Sequence, residues 1–327
     1  MDKIEGWPSV SVVMPVRNEG PHLAAAVAAV LEQRYVEPFI LVLAVGPSDD
    51  DTDAVAAQLG TDPRVQVIAN PTGGTAAGLN AAIAASTSDV VVRVDGHAEL
   101  SDGYITRAVA TLVDTGADNV GGIQRAVGDT PMQRAIAAAM TSKFGVGDAR
   151  FHYGGAPGPV DTVYLGVFRR TALTRVGGYD ESLVRNQDYE LNYRLRATGG
   201  VVWFDPELVV TYRPRATLGR LADQYHQYGQ WKRVVVRRDP SSVRWRQLAP
   251  PVAVLANSVG LLVGLTAWRP ALAIPAVYAA GTLAASVASD APVAQRLRLP
   301  AVFAIMHHAW GLGFLRGIRE EPVRQLP

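Results

Sequence analysis

The sequence predicts an α/β domain built on a mostly parallel sheet, followed by helices that cross a membrane. Two observations predict the first part. Short β-branched apolar runs alternate with Ala-rich helical segments every 20 to 30 residues or so, the pattern of strands joined by helical crossovers. An apolar run, Val90 to Val94, carries one charge, Arg93, and stops at Asp95-Gly96-His97. A buried strand that delivers a carboxylate and an imidazole to the carboxyl edge of an open sheet marks a ligand site. A third observation predicts the membrane helices: residues 252–268 and 271–289 hold no charge. Each run is long enough to cross a bilayer, which takes about 17–25 apolar residues.

The elements follow in order. Val10 to Pro15 is a short strand ended by proline, and residues 21–33 are a helix with Pro21 near its start. Phe39 to Val45 is the second strand, closed by the polar run Gly46-Pro47-Ser48-Asp49-Asp50-Asp51-Thr52. A helix at 53–59, a strand at 65–69, a turn at 70–75 and a helix at 76–85 lead to the central strand at 90–94. Tyr104 to Thr115 is a helix, 119–125 a strand and 131–141 a helix. The Gly/Pro-rich run 144–159 is a long loop, and loops of that length are often functional. Residues 160–168 alternate as a strand, 171–178 form a short glycine-closed helix, 186–196 a helix and 201–204 a last strand.

Bulk properties narrow the function. The chain has 327 residues, a net charge of +1 and no cysteine. Disulfides and thiolate metal sites are therefore excluded, and the balanced charge gives no reason to expect a nucleic-acid partner. Met1 to Trp7 is polar and acidic, so no secretory leader is expected and the N-terminal domain should remain cytoplasmic.

From 212 onward the character changes. Residues 212–250 interleave Arg213, Arg215, Arg220, Lys232, Arg233, Arg237, Arg238, Arg244 and Arg246 with Tyr212, Tyr225, Tyr228, Trp231 and Trp245. That composition suits an amphipathic segment on an anionic bilayer face. Residues 251–327 then read as a transmembrane hairpin, about 252–268 and 271–289, turned at Arg269-Pro270. A further segment at about 300–316 is more polar and reads as interfacial or re-entrant. Arginines before the first span and after the second put both flanks in the cytoplasm. A bacterial inner-membrane protein with a cytoplasmic catalytic domain, 1–211, is the expected arrangement.

A hard carboxylate oxygen at Asp95 suits Mg²⁺ or Mn²⁺ bridging to a diphosphate. Around it stand Pro15-Val16-Arg17-Asn18-Glu19, Ser48-x-Asp50-x-Thr52, Asn70 with Gly78-Leu79-Asn80, Arg93-x-Asp95-x-His97 and Gln187-Asp188-Tyr189-Glu190-Leu191. None of the five is specific alone; their order is. Over roughly residues 9–210 the chain resembles the family 2 inverting glycosyltransferases with a GT-A nucleotide-sugar-binding fold. With its C-terminal spans, Tyr-x-Pro-Arg at 212–215 and Gln-Tyr-Gly-Gln-Trp-Lys at 227–232, it is most similar to the membrane-bound succinoglycan-synthesis type.

The resemblance implies the following roles. Asp188 is the catalytic base that deprotonates the acceptor hydroxyl. Asp95 and His97 bind the cation. Pro15, Val16, Asn18, Glu19, Val45, Asn70, Asn80, Arg93 and Asp95 face the nucleotide-sugar donor. Asp188 starts a helix, whose dipole favours the ionised form, and Glu190 is spaced to pair with Arg194. Val45 occupies the place where many relatives carry a base-contacting aspartate, so Asp49, Asp50 or a backbone group takes that contact; a UDP-sugar is the favoured donor. The Gln-x-x-Arg-Trp motif of processive synthases is absent, and one sugar per encounter is expected. The expected acceptor is a polyprenyl-diphosphate-linked saccharide. Three alternatives stand beside this reading. A polyprenyl-phosphate glycosyltransferase would use the lipid phosphate itself as acceptor. A non-catalytic membrane scaffold would not need both Asp95 and Asp188. A nucleotidyltransferase would need a Gly-rich loop that residues 15–20 lack.

Overall fold

The computed structural model describes residues 6–318. Most of the acidic opening segment and the last residues of the C-terminal region, from 319, lie outside them.

In chain order the elements are β1 (Val10–Val16), α1 (Gly20–Leu31), β2 (Ile40–Val45), α2 (Thr52–Leu59), β3 (Val65–Ala69), α3 (Thr75–Ala84), β4 (Val90–Arg93), β5 (Glu99–Leu100), α4 (Tyr104–Thr115) and β6 (Asn119–Ala126). Then come α5 (Pro131–Met140), α6 (Lys143–Val146), α7 (Arg150–Tyr153), β7 (Gly158–Pro159), β8 (Tyr164–Arg169), α8 (Arg170–Val176), α9 (Gln187–Ala197) and β9 (Val202–Tyr212). The last are α10 (Leu218–Arg238), α11 (Trp245–Thr266), α12 (Ala273–Val287), α13 (Val293–Arg296) and α14 (Leu299–Arg316).

The chain divides into two compact units. The first comprises residues 1–125 and 154–212; the second comprises 126–153 and 213–327. The first is an α/β unit on a sheet of order β3-β2-β1-β4-β8-β6-β9-β5, with β7 paired to β9. Strands β3, β2, β1 and β4 run parallel in continuous register, Val13 beside Arg93 and Val16 beside Val45. They are near-continuous Val/Leu runs because helices cover both faces. On one face Leu23, Val27, Ile105, Val109 and Leu112 pack on Val12, Met14 and Val92; on the other Leu79, Leu173, Leu191 and Leu195 pack on Val13, Val42 and Val91. β8 joins β4 antiparallel and extends the sheet.

The run 144–159, expected as one irregular loop, instead holds two single helical turns and the short strand β7. Ser142 starts the first of these by accepting a hydrogen bond from the Phe144 amide. Strand β9 continues to Tyr212, well past the expected end at 204, with Pro206 inside it; Val210 and Thr211 pair with β5.

The second unit is helical. α10 and α14 meet backbone to backbone. A Cβ on Gly229 would lie 2.0 Å from the Trp310 carbonyl oxygen, and one on Gly313 would lie 2.0 Å from that of His226. Glycine is required at both points. α14 buries Leu299, Val302, Phe303 and Met306 and packs against α5, α10, α11 and α12. Asn257 of α11 bonds His308 at 3.1 Å, and Tyr278 of α12 bonds His307 at 3.1 Å. Trp245–Thr266 and Arg269–Val287 are long and apolar enough to cross a bilayer, and 28% and 17% of them is buried within the chain. A core helix of a water-soluble domain would be mostly buried. Here Val252, Leu255, Val259, Leu262 and Leu265 form an exposed stripe at helical spacing along α11.

Candidate active site

Three loops at the carboxyl ends of β1, β2 and β3 are laced into one cradle. Asn18 is left-handed at φ 55°, a conformation asparagine tolerates. Its amide donates to the Ser48 hydroxyl and its side-chain oxygen accepts from the Asp49 amide at 2.8 Å. Asp50 accepts from the Thr52 amide and hydroxyl and from the Gly20 amide, and Thr52 in turn accepts from the Glu19 amide. The Thr52 hydroxyl holds the Asp50 carboxyl below the usual carboxylate range, helped by the amides of Thr52 and Gly20. Gly46 lets the third loop approach: a Cβ there would lie 2.8 Å from the Gly73 Cα. Asn70 is buried and spends its side chain on the Gly74 carbonyl and the Thr72 hydroxyl, which shapes that third loop.

Strand β4 carries the centre of the site. Arg93, 5% exposed, points its guanidinium at two carboxylates. It donates to Asp95 at 3.0 Å and, through its other terminal nitrogen, to Asp188 of α9. Its Nε has no hydrogen-bond partner. Asp188 lies in the first turn of α9, after Asn186, and a third of its side chain remains exposed. Burial of its surroundings pushes the Asp188 carboxyl up, against the pull of Arg93. Two residues beyond Asp95, His97 Nδ1 bonds Glu19 at 2.8 Å. Gly96 allows the turn between them to close on Glu19 and Val16: a Cβ there would lie 3.1 Å from each side chain.

A second layer fixes Asp188. Glu190, buried two residues on in the same first turn, makes the expected pair with Arg194 at 2.5 Å; Arg194 also donates to the carbonyls of Val176 and Gly178. Asn80 holds the same loop from the other side. It donates to the Tyr179 carbonyl at 2.9 Å and to Glu181 at 2.8 Å, and accepts from the Tyr179 amide at 2.9 Å. The Tyr179 ring lies under the Arg93 guanidinium, 6.0 Å from its centroid. Burial raises the Tyr179 phenol, and Arg93 opposes the rise. Tyr164, beside a bulge between β6 and β8, is half-buried near Asp95, and desolvation pushes its phenol well above the ordinary value.

Of the residues expected at the site, Arg93, Asp95 and Asp188 are joined in one network, with His97 and Glu19 paired beside Asp95. Pro15 and Val16 end the strand next to them, with Pro15 opposite Ala44 and Val16 opposite Val45. Asn18 and Asn70 bond within the cradle, and Asn80 bonds the Tyr179 loop. Tyr179 and Tyr164 are not among the expected site residues. Their relation to the site arises only when β8 and α9 fold against β4, and the Gly177-Gly178 pair before Tyr179 is its one sequence signal.

The donor set fits a divalent cation. Asp95 offers a carboxylate and His97 an imidazole whose Nδ1 is tied to Glu19, the arrangement that readies the other ring nitrogen for a metal. Among the described residues no three His, Asp or Glu side chains form a preformed cage. That suits Mg²⁺ or Mn²⁺, which takes its remaining ligands from phosphate and water.

Comparison with known proteins bears on these observations. Residues 11–177 match the model of glycosyl transferase family 2. The chain is 33% identical over 312 residues to the succinoglycan biosynthesis protein ExoA of Rhizobium meliloti, 93% of each chain being covered. It is 30% identical over 210 residues to an uncharacterized glycosyltransferase of Mycobacterium tuberculosis, covering 63% of this chain and 86% of that one. The mannosyltransferase PcManGT of Pyrobaculum calidifontis, solved with GDP-Man and Mn²⁺, superposes with a TM-score of 0.67 at 21% identity, covering 94% of this chain and 87% of that one. The fold is GT-A-like. The chain belongs to glycosyl transferase family 2. It is a glycosyltransferase similar to ExoA.

Proposed function

We propose that this protein is a membrane-anchored, inverting hexosyltransferase that moves one sugar from a nucleotide sugar, a UDP-sugar first, to a polyprenyl-diphosphate-linked saccharide in cell-surface or exopolysaccharide assembly. The observation that carries the reading is the Asp95–Arg93–Asp188 network at the edge of the loop cradle. Asp188 takes the proton of the acceptor hydroxyl. That oxygen bonds the anomeric carbon on the face opposite the nucleotide, and the bond from that carbon to the diphosphate oxygen breaks. Asp95 and His97 would hold Mg²⁺ or Mn²⁺, which when bound would supply positive charge against the charge gained by the leaving diphosphate. Asp50 is committed to Thr52 and Gly20, so Asp49 and the main chain of the cradle take the base contact that Val45 lacks.

The similarity to ExoA across nearly the whole chain supports a role in polysaccharide assembly. The exposed apolar stripe of α11 and the arginines of α10 support anchoring at the inner membrane, with the catalytic unit on the cytoplasmic side. The test is transfer from a panel of nucleotide sugars to a polyprenyl-linked acceptor extract, with the product lipid analysed. Turnover of one donor, lost in Asp188→Asn and in EDTA and restored by Mn²⁺ or Mg²⁺, is the expected result. A monophosphate-linked product would reject the diphosphate-linked acceptor. Full activity of Asp188→Asn would reject the assigned base.

A further inference from the structure

Arg93 is an unusual residue for its position. It stands in register with Val13 of β1, inside a strand otherwise made of valines. Burying a guanidinium with two carboxylates is costly, and such groups are often replaceable by apolar residues with no loss of stability. Stability therefore gives little reason for this cluster. Its geometry gives a better one. One terminal nitrogen meets Asp188 Oδ1 and the other meets Asp95 Oδ1. Among the described residues, no group bonds the second oxygen of either carboxylate. Asp95 follows two residues after the end of the strand, whereas Asp188 comes from a helix 95 residues beyond Arg93.

We infer that Arg93 is the positioning residue of the transfer: its planar fork sets the spacing between the Asp188 and Asp95 carboxylates. One oxygen of each is held by Arg93, and the other is left for the acceptor proton and for the donor side. Arginine suits this task and lysine does not, because only a rigid fork meets two acceptors from one fixed plane. The Tyr179 ring supports the face of that fork, and Asn80 and Arg194 hold the loop that carries the ring. Arg93 acts through Asp188, so its effect should vanish when Asp188 no longer works as a base.

The inference rests on the proposed role of Asp188, and a double-mutant cycle separates the two. Transfer is measured by single turnover on the full chain for wild type, Arg93→Lys, Asp188→Asn and the double variant. Binding of the nucleoside diphosphate with Mn²⁺ is measured by calorimetry. Misplacing a catalytic group by about 1 Å costs roughly a hundredfold, so Arg93→Lys should slow transfer by about that factor. Nucleotide affinity should stay within about threefold, and in the Asp188→Asn background the same replacement should change the rate by less than about threefold. An equal loss in both backgrounds, or a loss confined to nucleotide affinity, would overturn the inference while leaving the proposed function standing. No transfer by wild type with any donor would reject both. Circular-dichroism melting checks folding. If Arg93→Lys does not melt cooperatively, Tyr179→Leu, which removes the supporting ring, carries the test: a severalfold slower transfer that disappears in Asp188→Asn is expected, and an equal slowing in both backgrounds overturns the inference.

Discussion

Asn80 offers a clean separation between a donor contact and a loop anchor. Family resemblance places it at the donor, yet its side chain makes three bonds to the loop that carries Tyr179. In Asn80→Ala the two partly buried bonds to the Tyr179 main chain disappear, and its amide and carbonyl lose their partner. Each such bond is worth about 1 kcal/mol, with more where a buried group is left unsatisfied; the exposed bond to Glu181 adds little. The expected cost is roughly 2–3 kcal/mol, or a melting temperature lowered by about 5–10 °C for a domain of this size. Tyr179 supports Arg93, so kcat should fall while the donor KM stays nearly constant. Thermal melting and steady-state kinetics on one preparation test both effects. An unchanged melting temperature with a tenfold higher donor KM would refute the anchoring argument and return Asn80 to the donor.

Other outcomes follow from the same contacts. Arg194→Met leaves Glu190 buried and unpaired, side chain 8% exposed, and should cost about 3–5 kcal/mol; Arg194→Met with Glu190→Gln should recover part of that in chemical denaturation. Burial raises the Asp188 carboxyl, and the base must be ionised. kcat/KM should therefore fall with decreasing pH on a limb above the ordinary carboxylate value of about 4, and that limb should be absent in the residual rate of Asp188→Asn. The linked stability has the opposite sense. Between the unfolded and raised folded values the native state binds more protons, so the contribution of Asp188 is full below about pH 4 and is lost as pH rises through the folded value. Leu262, 65% exposed on α11, should tolerate Lys in water but not in lipid, where mid-helix Lys costs about 2.5–3.5 kcal/mol; Leu262→Lys should reduce the membrane-bound fraction on flotation.

The parallel half of the sheet was legible because helix-covered strands are written as unbroken apolar runs. Val10–Val16, Ile40–Val45, Val65–Ala69 and Val90–Arg93 all fall within two residues of the expected bounds. The two-residue strands β5 and β7 were not, since pairs such as Glu99-Leu100 carry no period. β9 was expected to end at 204 but runs on to Tyr212, held by pairing with partner strands that lie far away in the sequence. At the site, Arg93, Asp95, His97 and Asp188 were named as residues, but Arg93 was placed at the donor. The bond to Asp188 depends on how α9 lands against β4. Likewise Glu190 with Arg194 was readable from helical spacing, whereas Asn80 with Tyr179 spans |i−j|=99.

The path of the chain has a practical consequence. Residues 126–153 leave the sheet unit, belong with the helical unit and return before the chain leaves again after Tyr212. A protein fragment ending at Tyr212 would keep that excursion and lose α13 and α14, the helices against which α5 packs. The buried face of α5, which includes Ile136 and Ala139, would lose those neighbouring helices. The helical unit is thus not a tail that a single cut removes. Separating the sheet unit from it requires two excisions, one of them in the middle of the gene.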